Sequence, residues 1–230
     1  MPGGPSHDAA MPWEYVVSHV LLPSLVAAAA LMGAWRCARL LRYGRDPRLA
    51  KLLWFYGLFA ASLVAYAVWT GEIAHTAGQE LGQGHEGDGR HGGEEVHQAF
   101  ARAERVDVFL LSHHVLMLAS LGVAVAAFHH GRAGGATAAV GFAFAAPFVP
   151  VVLALEAAMT LYLAVQAFLN HLERRTPGAL QVAAGFLLFF LGHLGFFVFH
   201  QPGAARTPVG DMFALVGIVL LVQLLPRPRA

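Results

Sequence analysis

Histidines placed inside long apolar segments are the part of this sequence with the most chemical potential. The chain has 230 residues and 13 histidines, nearly as many as its 14 acidic residues. Five of them fall within apolar runs or at their ends: His19, His113, His114, His193 and His200. Histidine is costly in a hydrocarbon environment, where it serves as a metal ligand, a proton carrier or a hydrogen-bonded packing residue.

Spacing along a helix decides which of these side chains can act together. His113 and Met117 are four residues apart, and His193 and His200 are two helical turns apart, so each pair shares a helix face. His113 and His114 are adjacent and point about 100° apart, so they cannot both face the same neighbouring helix. Imidazole with thioether suits copper or a His/Met haem, and paired imidazoles suit b-type haem or zinc.

The residues around His193 fit either a cofactor or a packed helix. Small and aromatic residues surround it: Phe189, Phe190, Gly192, Gly195, Phe196 and Phe197. Glycines let a flat macrocycle approach the backbone and phenylalanines pack on it, but the same residues let two helices pack closely with no cofactor. Another three histidines, His85, His91 and His97, lie in a glycine-rich stretch. This stretch is either a loop that binds metal ions with low affinity or a solvated connecting loop. His75 lies just beyond the second apolar run.

Composition identifies the class of protein. Hydrophobic residues make up 57% of the chain and charged residues 13%, about half the charged share of a typical soluble domain. The net charge of +1 excludes a nucleic-acid binder, and the apolar content excludes a disordered chain. Cys37, the single cysteine, excludes a disulfide scaffold and a CxxC redox pair. Lys51, the single lysine, falls in a basic loop, which excludes a retinal Schiff base deep in the bilayer.

Apolar segments of about 20 residues predict an all-α polytopic integral membrane helix bundle with six or seven spans. The predicted spans are 15–35, 52–70, 106–128, one or two passes within 136–172, 179–200 and 209–225. Pro177-Gly178 is read as the turn before the fifth of these segments. Motifs of hydrolases and nucleotide enzymes are absent, so we expect at most a subunit of a membrane oxidoreductase.

Positive charge predicts the topology. Six basic residues follow the first span: Arg36, Arg39, Arg42, Arg45, Arg48 and Lys51. The positive-inside rule places this loop in the cytoplasm, the N-terminal tail (1–13) outside, and the His/Gly-rich loop 71–105 outside. Residues 14–230 then form a single transmembrane domain in the cell (plasma or inner) membrane.

The segment 136–172 decides between six and seven spans. It is either one long helix kinked at Pro147 and Pro150 or a tight hairpin of two passes, and its length and Arg174 and Arg175 favour the hairpin. Glu156, a carboxylate within this apolar run, is a proton relay, a partner for a histidine, or the marker of the hairpin turn.

Seven passes bring six histidines near one face of the membrane: His19, His75, His113, His114, His193 and His200. Our leading hypothesis is a membrane-embedded redox subunit that binds b-type haem through these intramembrane histidines and exchanges electrons with other membrane or extracytoplasmic redox subunits. The haem ligands expected are His113 or His114 opposite His193, with His19 and His200 as further candidates. The alternatives are a copper- or zinc-handling protein, using Met117, His75, His85, His91 and His97 as well, and a structural subunit whose histidines only form hydrogen bonds.

The charge-based topology predicts that Gly87 lies outside the cell. A cysteine introduced at Gly87 should react with a membrane-impermeant thiol reagent in intact cells. Labelling that requires cell lysis would reverse the predicted orientation.

Overall fold

Six apolar helices form the described part of the molecule. The computed structural model describes residues 20–44, 46–83, 108–128, 149–199 and 208–225. The helices are α1 (Leu22–Leu41), α2 (Pro47–Gln83), α3 (Val108–Phe128), α4 (Val149–Arg174), α5 (Pro177–Phe199) and α6 (Pro208–Gln223). The first five contain segments long and apolar enough to cross a membrane, and α6 is a shorter apolar helix. The prediction of an all-α polytopic membrane protein in contact with lipid is confirmed.

Local sequence sets where the helices begin. Every spanning backbone group must be hydrogen-bonded within the protein, which favours helices throughout. Five helices carry proline at their first or second position, where no intrahelical N–H is lost: Pro23, Pro47, Pro150, Pro177 and Pro208. Asp46 caps α2, because its Oδ1 accepts a hydrogen bond from the Arg48 N–H at 2.8 Å.

Three expected boundaries differ from the structure, and the first is the end of α1, which continues to Leu41 instead of ending near residue 35. The stretch predicted as a polar loop from Gly71 is still helical to Gln83, because helix-forming residues continue beyond the apolar run. Pro177 is the first residue of α5 rather than part of a turn. The turn before it contains Arg175, which has a left-handed φ of 49° and donates its N–H to the His171 carbonyl at 2.7 Å, as an αL helix cap does.

The helices close a ring in chain order. Each described helix packs against the next one along the chain, and α6 packs against α1. Phenylalanines from α2 and α5 meet inside the ring, with the Phe59 and Phe189 ring centroids 5.2 Å apart. The interior is apolar around this contact and includes Leu63, Met117 and Leu163.

Basic side chains gather at one face of the ring. Lys51 donates to the Ala126 carbonyl at 2.8 Å, and Arg36 donates to the Val222 carbonyl at 3.2 Å. Both carbonyls belong to the last turn of a helix, α3 and α6 respectively, where backbone acceptors lack intrahelical partners. We call this side the basic face. It also holds Arg39, Arg42, Arg48 and Arg175.

The direction of each helix follows from these contacts. Antiparallel pairing of α2 and α3 is shown by three hydrogen bonds whose residue numbers run oppositely: Lys51 with Ala126, Ser120 with Phe55, and His113 with Ser62. In contrast, α2 and α5 run in the same direction, since Phe55 meets Phe186 and Phe59 meets Phe189. The short turn at 175–176 makes α4 antiparallel to α5. Therefore α3 and α4 run in the same direction, both toward the basic face.

This parallel pair bears on the number of passes. Because α3 ends at the basic face and α4 begins at the opposite face, the two helix ends that flank residues 129–148 lie on opposite faces. Arg175 lies on the basic face, as the seven-pass arrangement expects, and residues 129–148 themselves lie outside the described residues. A hairpin turn at Glu156 is wrong, because Glu156 lies inside the continuous helix α4.

Glycine brings α5 and α6 into backbone contact. A Cβ placed on Gly217 would lie 2.8 Å from the backbone oxygen of Gly185, and one placed on Gly192 would lie 2.9 Å from that of Gly210. Side chains other than hydrogen at these positions would force the two helices apart, as in other small-residue interfaces of membrane helices.

Gly217→Ala should therefore lower stability. We expect a loss of about 1–3 kcal/mol, the usual effect of overpacking a tight contact, measured by thermal unfolding of the purified protein in detergent. Gly57→Ala is the matched control, because nothing lies within 4 Å of a Cβ there. Equal stability of both variants would show that the α5–α6 contact is looser than described.

Candidate functional site

Three helices bring two histidines to one buried carboxylate. Glu156 of α4 has 0% of its surface exposed. Its Oε1 lies 3.0 Å from Nδ1 of His114 on α3, and its Oε2 lies 3.3 Å from Nε2 of His193 on α5. Each of the three residues lies about two turns from the end of its helix that is opposite the basic face. We call this group the buried triad.

Hydrogen-bond donors in the buried triad can be assigned from its neighbours. The Phe189 carbonyl lies 2.7 Å from His193 Nδ1, and since a carbonyl only accepts, Nδ1 carries a hydrogen. In neutral His193 the lone pair of Nε2 then faces Glu156 Oε2. Both atoms are buried, and neither has another hydrogen-bond partner in the described part of the chain. Two facing acceptors repel, so the 3.3 Å contact requires a proton on one of them.

Charge balance leads to the same requirement. An ionised Glu156 beside two neutral imidazoles would leave a net negative charge in the apolar interior, which is strongly unfavourable. One added proton, on Glu156 or on an imidazole, makes the buried triad neutral overall. Among the described residues, the two imidazoles are the groups within ion-pair distance of this carboxylate. A single proton shared among the three side chains would therefore neutralise the buried triad.

His113 forms a second centre beside the triad. Its Nδ1 donates to the Ser62 carbonyl of α2 at 2.8 Å, which leaves Nε2 as the ring nitrogen not engaged with Ser62. The imidazole lies 5.3 Å from the Tyr66 ring and 5.0 Å from the His114 ring, centroid to centroid. The prediction that His113 and His114 face different helices is confirmed, since they face α2 and α4.

The remaining predicted site residues are distributed as follows. Met117 is buried in the apolar core. His75 lies in α2, but its side chain is outside the described part of the structure. His19, His85, His91, His97 and His200 also lie outside the described residues.

Sequence reasoning recognised Glu156 as a histidine partner but did not include it among the site residues. The signal was present, because a carboxylate within an apolar run is a functional candidate by default. Ser62 and Tyr66 were missed altogether. Their spacing of four residues, continued at Thr70, places three polar side chains on one face of α2.

Neither a metal-binding group nor a related protein assigns a function to the described residues. Within the described side chains, no group of three or more histidine, cysteine, aspartate or glutamate residues is arranged to hold a metal ion. No family model, curated protein or solved structure matches this chain. A functional proposal for this chain therefore has to rest on the chemistry of its own side chains.

Stability alone does not account for the buried triad. Hydrogen bonds between membrane helices contribute on average only about 0.6 kcal/mol, whereas an ionisable group in a membrane interior costs several times more. Apolar side chains of similar volume would hold the three helices together at least as well. The presence of ionisable groups at these positions makes the triad a candidate for a chemical role.

Replacing the whole triad should be tolerated better than replacing its centre. We expect Glu156→Leu to destabilise the protein by about 1–3 kcal/mol, because two buried imidazoles lose their partner. The triple variant His114→Leu, Glu156→Leu, His193→Leu should recover that loss, as measured by thermal unfolding in detergent. A triple variant less stable than Glu156→Leu would indicate that the triad is a structural element.

Proposed function

We propose that this protein is a proton-handling membrane protein of the cell (plasma or inner) membrane, in which the buried triad binds and releases one proton during a redox or transport process. The observation that carries the proposal is the facing pair of acceptors, Glu156 Oε2 and His193 Nε2, at 3.3 Å, for which the described residues offer no other partner. Imidazole and carboxylate are the side chains that membrane proteins use as proton relays. The basic face supports an orientation with that side in the cytoplasm.

A redox role is a natural setting for such a site. Oxidation of a quinol releases protons together with electrons, so a buried acceptor near a membrane face can take up a proton as a partner subunit accepts the electrons. The triad would then be the proton-accepting component of a membrane oxidoreductase. In this proposal, partner subunits in the membrane or outside it accept the electrons.

Haem ligation is a second candidate, favoured by the orientation of two imidazoles. His113 and His193 each donate Nδ1–H to a backbone carbonyl, the arrangement that fixes the tautomer of a metal-ligating histidine and directs Nε2 to the metal. A b-type haem would take His113 or His114 and His193 as ligands and would supply one-electron transfer, and His193 Nε2 would then have to leave its contact with Glu156 Oε2. Copper or zinc would use the same nitrogen atoms.

The proton-binding proposal is tested by infrared difference spectroscopy of the full-length protein in lipid nanodiscs. Changing the pH through the range in which histidine titrates should change a carboxyl or carboxylate band that Glu156→Gln removes, because protonation of either Glu156 or its imidazole partners alters that group. Glu173→Gln is the matched control, since that carboxylate is exposed on the basic face and its loss should leave the change intact. A spectrum in which no band of Glu156 changes with pH would contradict the proposal.

The visible absorption spectrum of the same preparation tests the second candidate. A Soret band that is lost in His113→Ala, His114→Ala or His193→Ala, and kept in His85→Ala, would establish haem ligation. A colourless protein with bound copper or zinc would favour the metal-handling function instead. If neither is present and the infrared band is also absent, the histidines serve in packing alone.

A further inference from the structure

Buried polar side chains occur at three depths relative to Glu156. Ser62, His113 and Asp211 lie at about the depth of the triad, since His113 is bonded to Ser62 and Gly210 meets Gly192. Thr70 lies about two turns farther from the basic face on α2. Toward the basic face, the described interior offers the phenol of Tyr56 and the hydroxyls of Thr160 and Ser120, which donate to the Glu156 carbonyl at 3.0 Å and to the Phe55 carbonyl at 3.2 Å. Both directions therefore contain polar groups, and the aromatic packing of the basic side is what distinguishes them.

Three residues of α2 and one of α3 form a polar column beside the triad. Ser62, Tyr66 and Thr70 follow one another at intervals of four residues on α2, and His113 of α3 lies against Ser62 and Tyr66. Thr70, at the outer end, is fully buried, and its hydroxyl donates to the Tyr66 carbonyl at 3.1 Å. At the inner end, the His113 ring contacts the His114 ring of the triad.

On the basic side of the triad, phenylalanine side chains fill the interior of the helix bundle. Phe55, Phe59, Phe186 and Phe189 are each at most 3% exposed, and their centroids form contacts of 5.2 to 6.2 Å. Phe189 lies one turn from His193 toward the basic face. This phenylalanine cluster therefore begins directly on the basic side of the triad. Such a layer offers no group that can carry a proton.

We propose that Glu156 exchanges its proton with the membrane face opposite the basic residues, through the polar column of Ser62, Tyr66, Thr70 and His113, while the phenylalanine cluster closes the route to the basic face. This rests on the proposed proton binding by the triad. Hydroxyl, phenol and imidazole groups at this spacing can pass a proton through intervening water. The titratable groups around the route are His113, His114 and His193, with Asp211 on α6 and the exposed Glu72 on α2.

Sidedness can be measured with a hydrophobic carbodiimide, which reacts with protonated carboxyl groups in apolar surroundings. The full-length protein is labelled in right-side-out and in inverted membrane vesicles while the pH is changed on one face at a time. Mass spectrometry of the peptide containing Glu156 gives the extent of labelling, and Glu156→Gln gives the background. We expect labelling to follow the pH of the face opposite the basic residues, by up to about tenfold per pH unit.

The route itself is tested by the rate of the response. Thr70→Val and Tyr66→Phe should slow the change in labelling after a pH step, whereas Phe59→Leu, the matched control on the apolar side, should not. An unchanged rate in both column variants would overturn the column as the route. Labelling that follows the pH of the basic face would overturn the sidedness and leave proton binding intact. Labelling that responds to neither face would contradict proton binding as well.

Discussion

A carboxylate with no exposed surface, set among apolar helices, is the constraint on which the rest of this structure depends. Glu156 cannot be left ionised and unpaired there, because the cost of removing its charge from water greatly exceeds what the helix contacts return. Two imidazoles from different helices meet it, and their hydrogen-bonding pattern requires one proton for the three groups. Guanidinium or ammonium partners would hold the carboxylate permanently ionised, whereas imidazoles leave the proton exchangeable.

The arrangement of helices makes this meeting possible. His114, Glu156 and His193 lie at the same depth because α3 and α4 run in the same direction and α5 runs against them. If α3 and α4 were antiparallel, Glu156 and His114 would lie at different depths in the membrane, since each is near the beginning of its helix. The tight glycine contact between α5 and α6 fixes the position of His193 relative to the interior of the bundle. The capped turn at Arg175 fixes α5 against α4.

Polarity within the bundle is ordered along the membrane normal. Lys51 and Arg36 of the basic face donate to terminal carbonyls of helices, so these two charges serve the fold as well as the topology. The phenylalanine cluster lies between the basic face and the buried triad, and Tyr66 and Thr70 lie beyond the triad. Glu156 therefore has different surroundings in the two directions.

Sequence by itself determined the class of protein and most of the helices. Apolar runs of about 20 residues can satisfy their backbone in lipid only as helices, so α3, α5 and α6 could be located to within a few residues, whereas α1 ends six residues later than predicted. The unusual histidines and the buried carboxylate were also visible, because polar residues in apolar runs stand out regardless of fold. The continuation of α2 to Gln83 was missed, since leaving the membrane does not by itself end a helix.

Only the tertiary structure decided which of these residues meet. Adjacent histidines point to different helices, and nothing local tells which helix each one faces; that depends on ring order and on the parallel direction of α3 and α4. For the same reason, Glu156 was an isolated residue in the sequence, whereas in the fold it is the centre of the site. Ser62 and Tyr66 are common residues with no signal of their own, and their role arises from the packing of α2 against His113.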